Sequence, residues 1–162
     1  MTDELVEHVD ELGNVLGVVT RAEMRARRLR HRCVYIVVMT SAGELVVHRR
    51  ADWKDLWPSR WDLAFGGVAA AGESWRDAAA RELAEETGIT GTEIVPIGGG
   101  AYDDAEVSVV GRAFRVTWDG PLTCADGEVA EAARVAIADL DEWMTGRLLC
   151  PDTVALADPR FA

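Results

Sequence analysis

Residues 81–86 read Arg-Glu-Leu-Ala-Glu-Glu, and their three carboxylates sit where an isolated helix would not hold them. The stretch 67–89, GVAAAGESWRDAAARELAEETGI, reads as a glycine-bounded loop followed by one amphipathic helix. Glu82 and Glu86 stand at i,i+4 and repel by roughly 0.2–0.5 kcal/mol. With Glu85 they crowd the negative end of the helix macrodipole, where cations are favoured and anions are not. Trp75, Ala78, Ala79 and Leu83 form the apolar stripe. On a helical wheel Glu82 and Glu86 fall on that inward side, with Glu85 along its border. Half-buried carboxylates without matching cations are costly. Arg81 can pair with Glu85 or reach back to Glu73, but one guanidinium cannot neutralise them all. The pattern points to a bound cation, and hard carboxylate oxygens select Mg²⁺ or Mn²⁺ over Zn²⁺. The competing reading, a solvated charge run, would lie opposite the apolar stripe.

Such a helix needs a start, a stop and a sheet to lie on. Ser74 suits the N-cap and Gly88 the C′ position. Upstream, 33–39 (CVYIVVM) is rich in β-branched residues and predicts a central strand buried on both faces, with 45–48 returning as its partner. Residues 5–9 and 15–19 flank a turn-rich segment and predict a hairpin. Thr20, three residues before Glu23, caps the short basic helix RAEMRARRLR. That helix reads first as a solvated face and second as an anion-binding surface. Pro58 should hold Trp57 in extended geometry, and 61–65 is a short strand leading to Gly66-Gly67. After Gly88, 94–97 runs into Gly98-Gly99-Gly100, a flexible passage. Residues 106–118 form a long strand with Gly111 as a bulge site. A last strand over 131–137, a helix over 139–145 and a final short helix opened by Pro151 complete the chain. The irregular interleaving implies a mixed sheet with helices packed on it.

With 162 residues, 49% of them hydrophobic and 28% charged, the chain is expected to form one soluble domain over 1–162, in which 1–30 is an N-terminal hairpin and short helix. The net charge of −11 argues against a nucleic-acid polymer or an anionic membrane as partner. It leaves room for a small anionic substrate, because a metal reverses the local sign. Cys33, Cys124 and Cys150 are far apart and form no C-x-x-C, as expected of free, buried thiols in a reducing compartment. The acidic N-terminus lacks an apolar signal core, and no apolar run is long enough to span a bilayer, so a cytoplasmic location is expected. A homodimer, the commonest closed assembly, is the default oligomer. Trp53, Trp57 and Trp61 are able to stack on a base, although core packing is commoner for tryptophan; His31 and His48 read as structural.

Gly67, five residues, Glu73, seven residues and then Arg81-Glu82-Leu83-Ala84-Glu85-Glu86-Thr87-Gly88-Ile89 resembles the Nudix box, G-x5-E-x7-R-E-U-x-E-E-x-G-U with U a bulky aliphatic, and every fixed position matches. The likeness extends through HRCVYIVVMTSAGELVVHRRADWKDLWPSRWDLAFGG, which looks like the branch related to type 1 isopentenyl-diphosphate isomerase. It implies an α/β fold, an α/β/α sandwich with a central mixed β-sheet, a loop–helix–loop metal site, and attack by water on the diphosphate linkage of a small molecule. Carried over by position, Glu82 and Glu86 coordinate the metal, while Glu85 binds a second ion or takes a proton from the attacking water. A backbone carbonyl near Gly67 completes the shell, and Glu73 and Arg81 hold loop and helix in register ahead of Gly88.

Arg50 and Lys54 match positions that hold the diphosphate in the isomerase, and their cationic heads suit phosphate oxygens. Asp104 and Glu106 match its carboxylate pair after the box, which makes Glu106 a candidate further ligand or base, with Glu128 its rival. The departures are as telling. The isomerase's catalytic cysteine and a nearby metal histidine fall on Gly66 and Val68; His31 matches another histidine, while Met24 replaces the one before it. The resemblance therefore implies a Mg²⁺- or Mn²⁺-dependent hydrolase of nucleoside diphosphate derivatives or related organic pyrophosphates rather than an isomerase. A catalytically idle ligand-binding module is the alternative from another class, and the intact box opposes it.

Overall fold

The computed structural model describes residues 3–160; the outermost residues of the expected 1–162 span, 1, 2, 161 and 162, lie outside the described residues. In chain order the elements are β1 (Leu5–Val9), β2 (Val15–Thr20), α1 (Arg21–Ala26), β3 (His31–Met39), β4 (Glu44–Arg50), β5 (Trp61–Asp62), β6 (Phe65–Val68), α2 (Trp75–Thr87), β7 (Val95–Asp103), β8 (Ser108–Thr117), β9 (Val129–Ala136), α3 (Leu140–Met144) and α4 (Pro151–Leu156). No helix among the described residues is long and apolar enough to cross a membrane.

The β-branched run at 33–39 organises the rest, because a strand apolar on both faces needs a layer on each side. One edge of β3 is paired along its length by β8, in parallel. The opposite edge is shared by β1 at His31, β6 at Cys33 to Ile36, and β4 at Met39. Alternate side chains enter two cores. Val34, Ile36 and Val38 pack with Phe65, Ala78, Ala79 and Leu83 under α2. Cys33, Tyr35 and Val37 pack with Met24, Leu140 and Ala157, under α1, α3 and α4. The result is an α/β/α sandwich around a curled mixed sheet, as the sequence implied.

Five local expectations need correction. Strand β4 meets β3 only beside their turn, at Met39 and Leu45, and otherwise pairs antiparallel with β9, so the sheet curls apart beyond the hairpin. The single strand expected at 61–65 is two, β5 and β6, which pair with different neighbours. The triple glycine is no loop but the middle of edge strand β7, and at Gly99 a Cβ would come within 2.2 Å of the Gly111 carbonyl oxygen, an approach only glycine permits. Gly111 is no bulge either: the β3–β8 register runs through it unbroken, and the space a side chain would need is filled by Tyr35 and Leu156. Trp57, expected to be extended ahead of Pro58, instead has φ +47° in a turn that buries its ring. Of the cysteines, Cys33 and Cys150 are free and buried, and Cys124 is free and half-buried.

Candidate active site

Helix α2 begins where Ser74 Oγ accepts the Asp77 N–H at 3.1 Å and ends at Gly88, whose φ of +75° is the left-handed cap that glycine adopts without strain. Ala78, Ala79 and Leu83 are buried against the sheet, and the small alanines bring the helix close to it. This docking carries Glu82 and Glu86 inward, 9% and 5% exposed, and leaves Glu85 in solvent.

What receives them is the backbone of β6. Glu86 Oε1 accepts the Gly66 N–H at 3.1 Å. The Glu82 carboxylate lies against Gly67, where a Cβ would come within 2.7 Å of it. Gly66 itself presses on β3 so closely that a Cβ there would meet the Val34 carbonyl oxygen at 1.9 Å. This backbone therefore has no room for a cysteine at the position where the isomerase carries one.

Arg81 ties the loop to the helix. Its Nε and Nη2 donate to the two oxygens of Glu73 at 2.8 and 2.9 Å, a bidentate pair, and Nη2 also donates to the Val68 carbonyl at 3.2 Å. Its Nη1 donates to Glu82 at 2.8 Å and to Glu85 at 3.3 Å. The Arg81 fork holds the Glu73 carboxyl below the usual carboxylate range. Burial pushes Glu82 up, with Arg81 pulling the other way, and pushes Glu86 well up, with Glu82 and Glu128 adding to the effect. The site thus holds more negative charge than its one arginine offsets.

The donor set fits a hard divalent ion in kind, since it consists of carboxylate and backbone oxygens beside a glycine cradle. In position it is drawn together by Arg81, and among the described residues no three His, Cys, Asp or Glu side chains converge as a ligand set. Glu82 and Glu86 lie together and buried; Glu85 belongs to the same cluster only through Arg81.

Beside β6 opens a narrow cleft that continues to solvent, lined by Gly66, Gly67 and Val68 together with Arg50 and Lys54. Both cations already have partners: Arg50 Nε donates to the Leu56 carbonyl at 3.1 Å, and Lys54 Nζ donates to Glu128 at 2.9 Å. Glu128 is the acid whose charge reaches Glu82 and Glu86. Glu106 stands elsewhere, exposed before β8 and lining a small recess with Met24 and His31. Asp104 is consumed by its own turn, accepting the Glu106 and Val107 N–H groups and the Tyr102 hydroxyl.

Sequence reasoning missed Tyr35, Asp62 and Asp152, which also line the cleft, as do Arg21 and Arg25 of the basic helix. Their separation along the chain leaves no local motif. The i,i+4 spacing of the two arginines was the one available signal. Of the tryptophans, Trp57 is buried, Trp61 packs edge-on against Trp143, and Trp53 is exposed beside Lys54. His31 and His48 are buried.

Comparison with known proteins agrees with the box. The family model described as NUDIX domain matches residues 29–149. An uncharacterized Nudix hydrolase of Pseudomonas aeruginosa is 38% identical over 151 residues, 93% of this chain and 89% of that one. The uncharacterized Nudix hydrolase YfcD of Escherichia coli is 38% identical over 79% of this chain and 71% of its own. Among solved structures, DR0079 of Deinococcus radiodurans superposes with a TM-score of 0.77 over 90% of this chain and 92% of that one at 22% identity, a likeness of fold. A MutT protein of Methanosarcina mazei gives 0.63 over 76% and 86% of the two chains at 25% identity.

Proposed function

The chain belongs to the Nudix hydrolase family, and from that premise we propose that it cleaves a diphosphate linkage in a nucleoside diphosphate derivative or related organic pyrophosphate, using Mg²⁺ or Mn²⁺. The observation that carries the reading is one juxtaposition: Glu82 and Glu86 are driven against the backbone of Gly66 and Gly67, and those glycines line the cleft that holds Arg50 and Lys54.

Glu82 and Glu86 would hold the metal, with a carbonyl near Gly67. A divalent ion there supplies Lewis-acid polarisation of a phosphoryl oxygen and a water of lowered pKa. Arg50 and Lys54 bind the diphosphate oxygens by charge-assisted hydrogen bonds and offset their charge. Engaging substrate draws Lys54 from Glu128, which frees that carboxylate beside Glu82 and Glu86. Glu128 is accordingly the better-supported additional acid than Glu106. Glu85, exposed and only loosely held by Arg81 at 3.3 Å, is free to serve a second ion or to take a proton from the attacking water. Glu73 and Arg81 keep loop and helix in register.

Glu86→Gln tests the assignment. It keeps the shape and the hydrogen bond from Gly66 N–H, removes the charge, and should abolish metal-dependent turnover while the protein still folds. Retention of most activity would show the assignment to be wrong. A panel of diphosphate substrates in Mg²⁺ and Mn²⁺, with products traced in ¹⁸O-labelled water, identifies both the substrate and the phosphorus attacked. If no diphosphate turns over while one binds tightly, the chain is an idle binding module instead.

A further inference from the structure

The cleft has two chemistries. Its walls carry four cations, Arg21 and Arg25 from α1 and Arg50 and Lys54 from β4 and the segment after it, with Asp55 among them 3.4 Å from Arg25. Its floor is acidic. Asp62, 6% exposed on β5, and Asp152, at the start of α4, flank Tyr35, which is 5% exposed on β3. The Tyr35 hydroxyl donates to Asp152 Oδ2 at 2.9 Å, and the Thr153 N–H donates to Asp152 Oδ1 at 2.9 Å. Neither donor is a cation. Asp62 has Arg50 Nη1 at 3.7 Å and His48 Nε2 at 3.9 Å, and His48 is held neutral, its pKa lowered to about 4 by burial. Arg50 thus acts on both carboxylates.

Arg50 cannot serve the floor and the substrate at full strength together. Once it turns to a diphosphate, two adjoining carboxylates at the bottom of the cleft lose their compensating charge, a costly state for groups so far from water. The compensation must then come from the ligand. Two carboxylates and a phenolic oxygen match the donors of an organic ammonium group.

We propose that Asp152, oriented by Tyr35 and backed by Asp62, is a specificity-determining residue that selects substrates whose diphosphate-linked group carries an ammonium nitrogen. The inference rests on the reading of Arg50 and Lys54 as the diphosphate cradle. Burial and the charge of Asp62 push the Asp152 carboxyl up, the direction in which a neighbouring cation brings relief. The same floor rejects a terminal anion by repulsion, so specificity has both an attractive and a repulsive part.

Three phosphate monoesters of similar size test this by calorimetry on the metal-free protein: phosphoethanolamine, propyl phosphate and phosphoglycolate. Phosphoethanolamine should bind about tenfold more tightly than propyl phosphate, and phosphoglycolate more weakly than either. In Asp152→Asn the first two affinities should fall within about twofold of each other. Equal binding of the first two by the unaltered chain overturns the proposal. So does failure of all three to bind, or a preference that survives Asp152→Asn. The comparison on the unaltered chain decides even where the variant does not fold. Selection of phosphoethanolamine without turnover of any diphosphate would sink the hydrolase reading and leave this one standing. Turnover with no preference for the amine does the reverse.

Discussion

Arg81 sends one guanidinium to two oxygens of Glu73, to a carbonyl of the preceding strand and to two carboxylates of its own helix. That fork explains why the fifteenth residue of the box is an arginine, since lysine offers no planar pair of donors for the bidentate bond. It also explains why the carboxylates gather without forming a ligand set. The buried histidines are a simpler case. His31 Nδ1 faces the Leu29 carbonyl at 2.9 Å and its Nε2 has no partner, so burial drives its pKa from 6.5 to about 4. A depressed histidine pKa means that the unfolded chain binds the extra proton first. Its contribution to stability is therefore present above pH 6.5 and is lost as pH falls towards about 4. The full loss is about 3 kcal/mol. His31→Gln, whose amide can still donate to Leu29, should flatten the acid limb of a urea-unfolding series between pH 7.5 and 4.5 by close to one proton. An unchanged slope would assign that limb to other groups.

Strand β6 shows what two neighbouring glycines can each be for. At Gly66 an added methyl meets backbone, the Val34 carbonyl oxygen at 1.9 Å; at Gly67 it meets the end of a side chain, the Glu82 carboxylate at 2.7 Å. Gly66→Ala should therefore cost stability, about 1–3 kcal/mol or more, because the paired strands must separate. Gly67→Ala should melt within a few degrees of the parent but lose most turnover, because Glu82 is displaced. Thermal melts and rates on both variants check the contrast, and equal effects at the two positions would refute it. Sequence revealed the box, its caps and the burial of Glu82 and Glu86, because helix periodicity and capping are local. It could not reveal that β4 leaves β3 for β9, or that Gly98 to Gly100 lie in a strand. Those outcomes follow from sheet curl and from the approach of Gly111, which are contacts between distant segments. Asp62 and Asp152 escaped for the same reason: ninety residues of chain separate two sides of one floor, and neither carries a motif.

The whole molecule carries a formal charge of −11, yet Arg21, Arg25, Arg50 and Lys54 line one cleft. On the proposed reading, a dianionic substrate approaching from solvent would therefore be repelled at long range and held at short range. Salt separates the two effects. Between 0.01 M and 0.15 M ionic strength the Debye length contracts from about 30 Å to about 8 Å, which removes most repulsion from the distant surface. Contacts of about 3 Å inside a partly buried cleft are screened much less. Raising salt over this range should thus increase kcat/KM by about two- to threefold, the opposite of the steep fall that follows when attraction to the protein's overall field drives association. Steady-state rates at fixed free Mg²⁺ across that range are the measurement, with an uncharged osmolyte as control. A several-fold decline would mean that the cleft's own field reaches well beyond its mouth. It would then make Arg21 and Arg25, on the exposed helix, the residues whose removal should flatten the dependence.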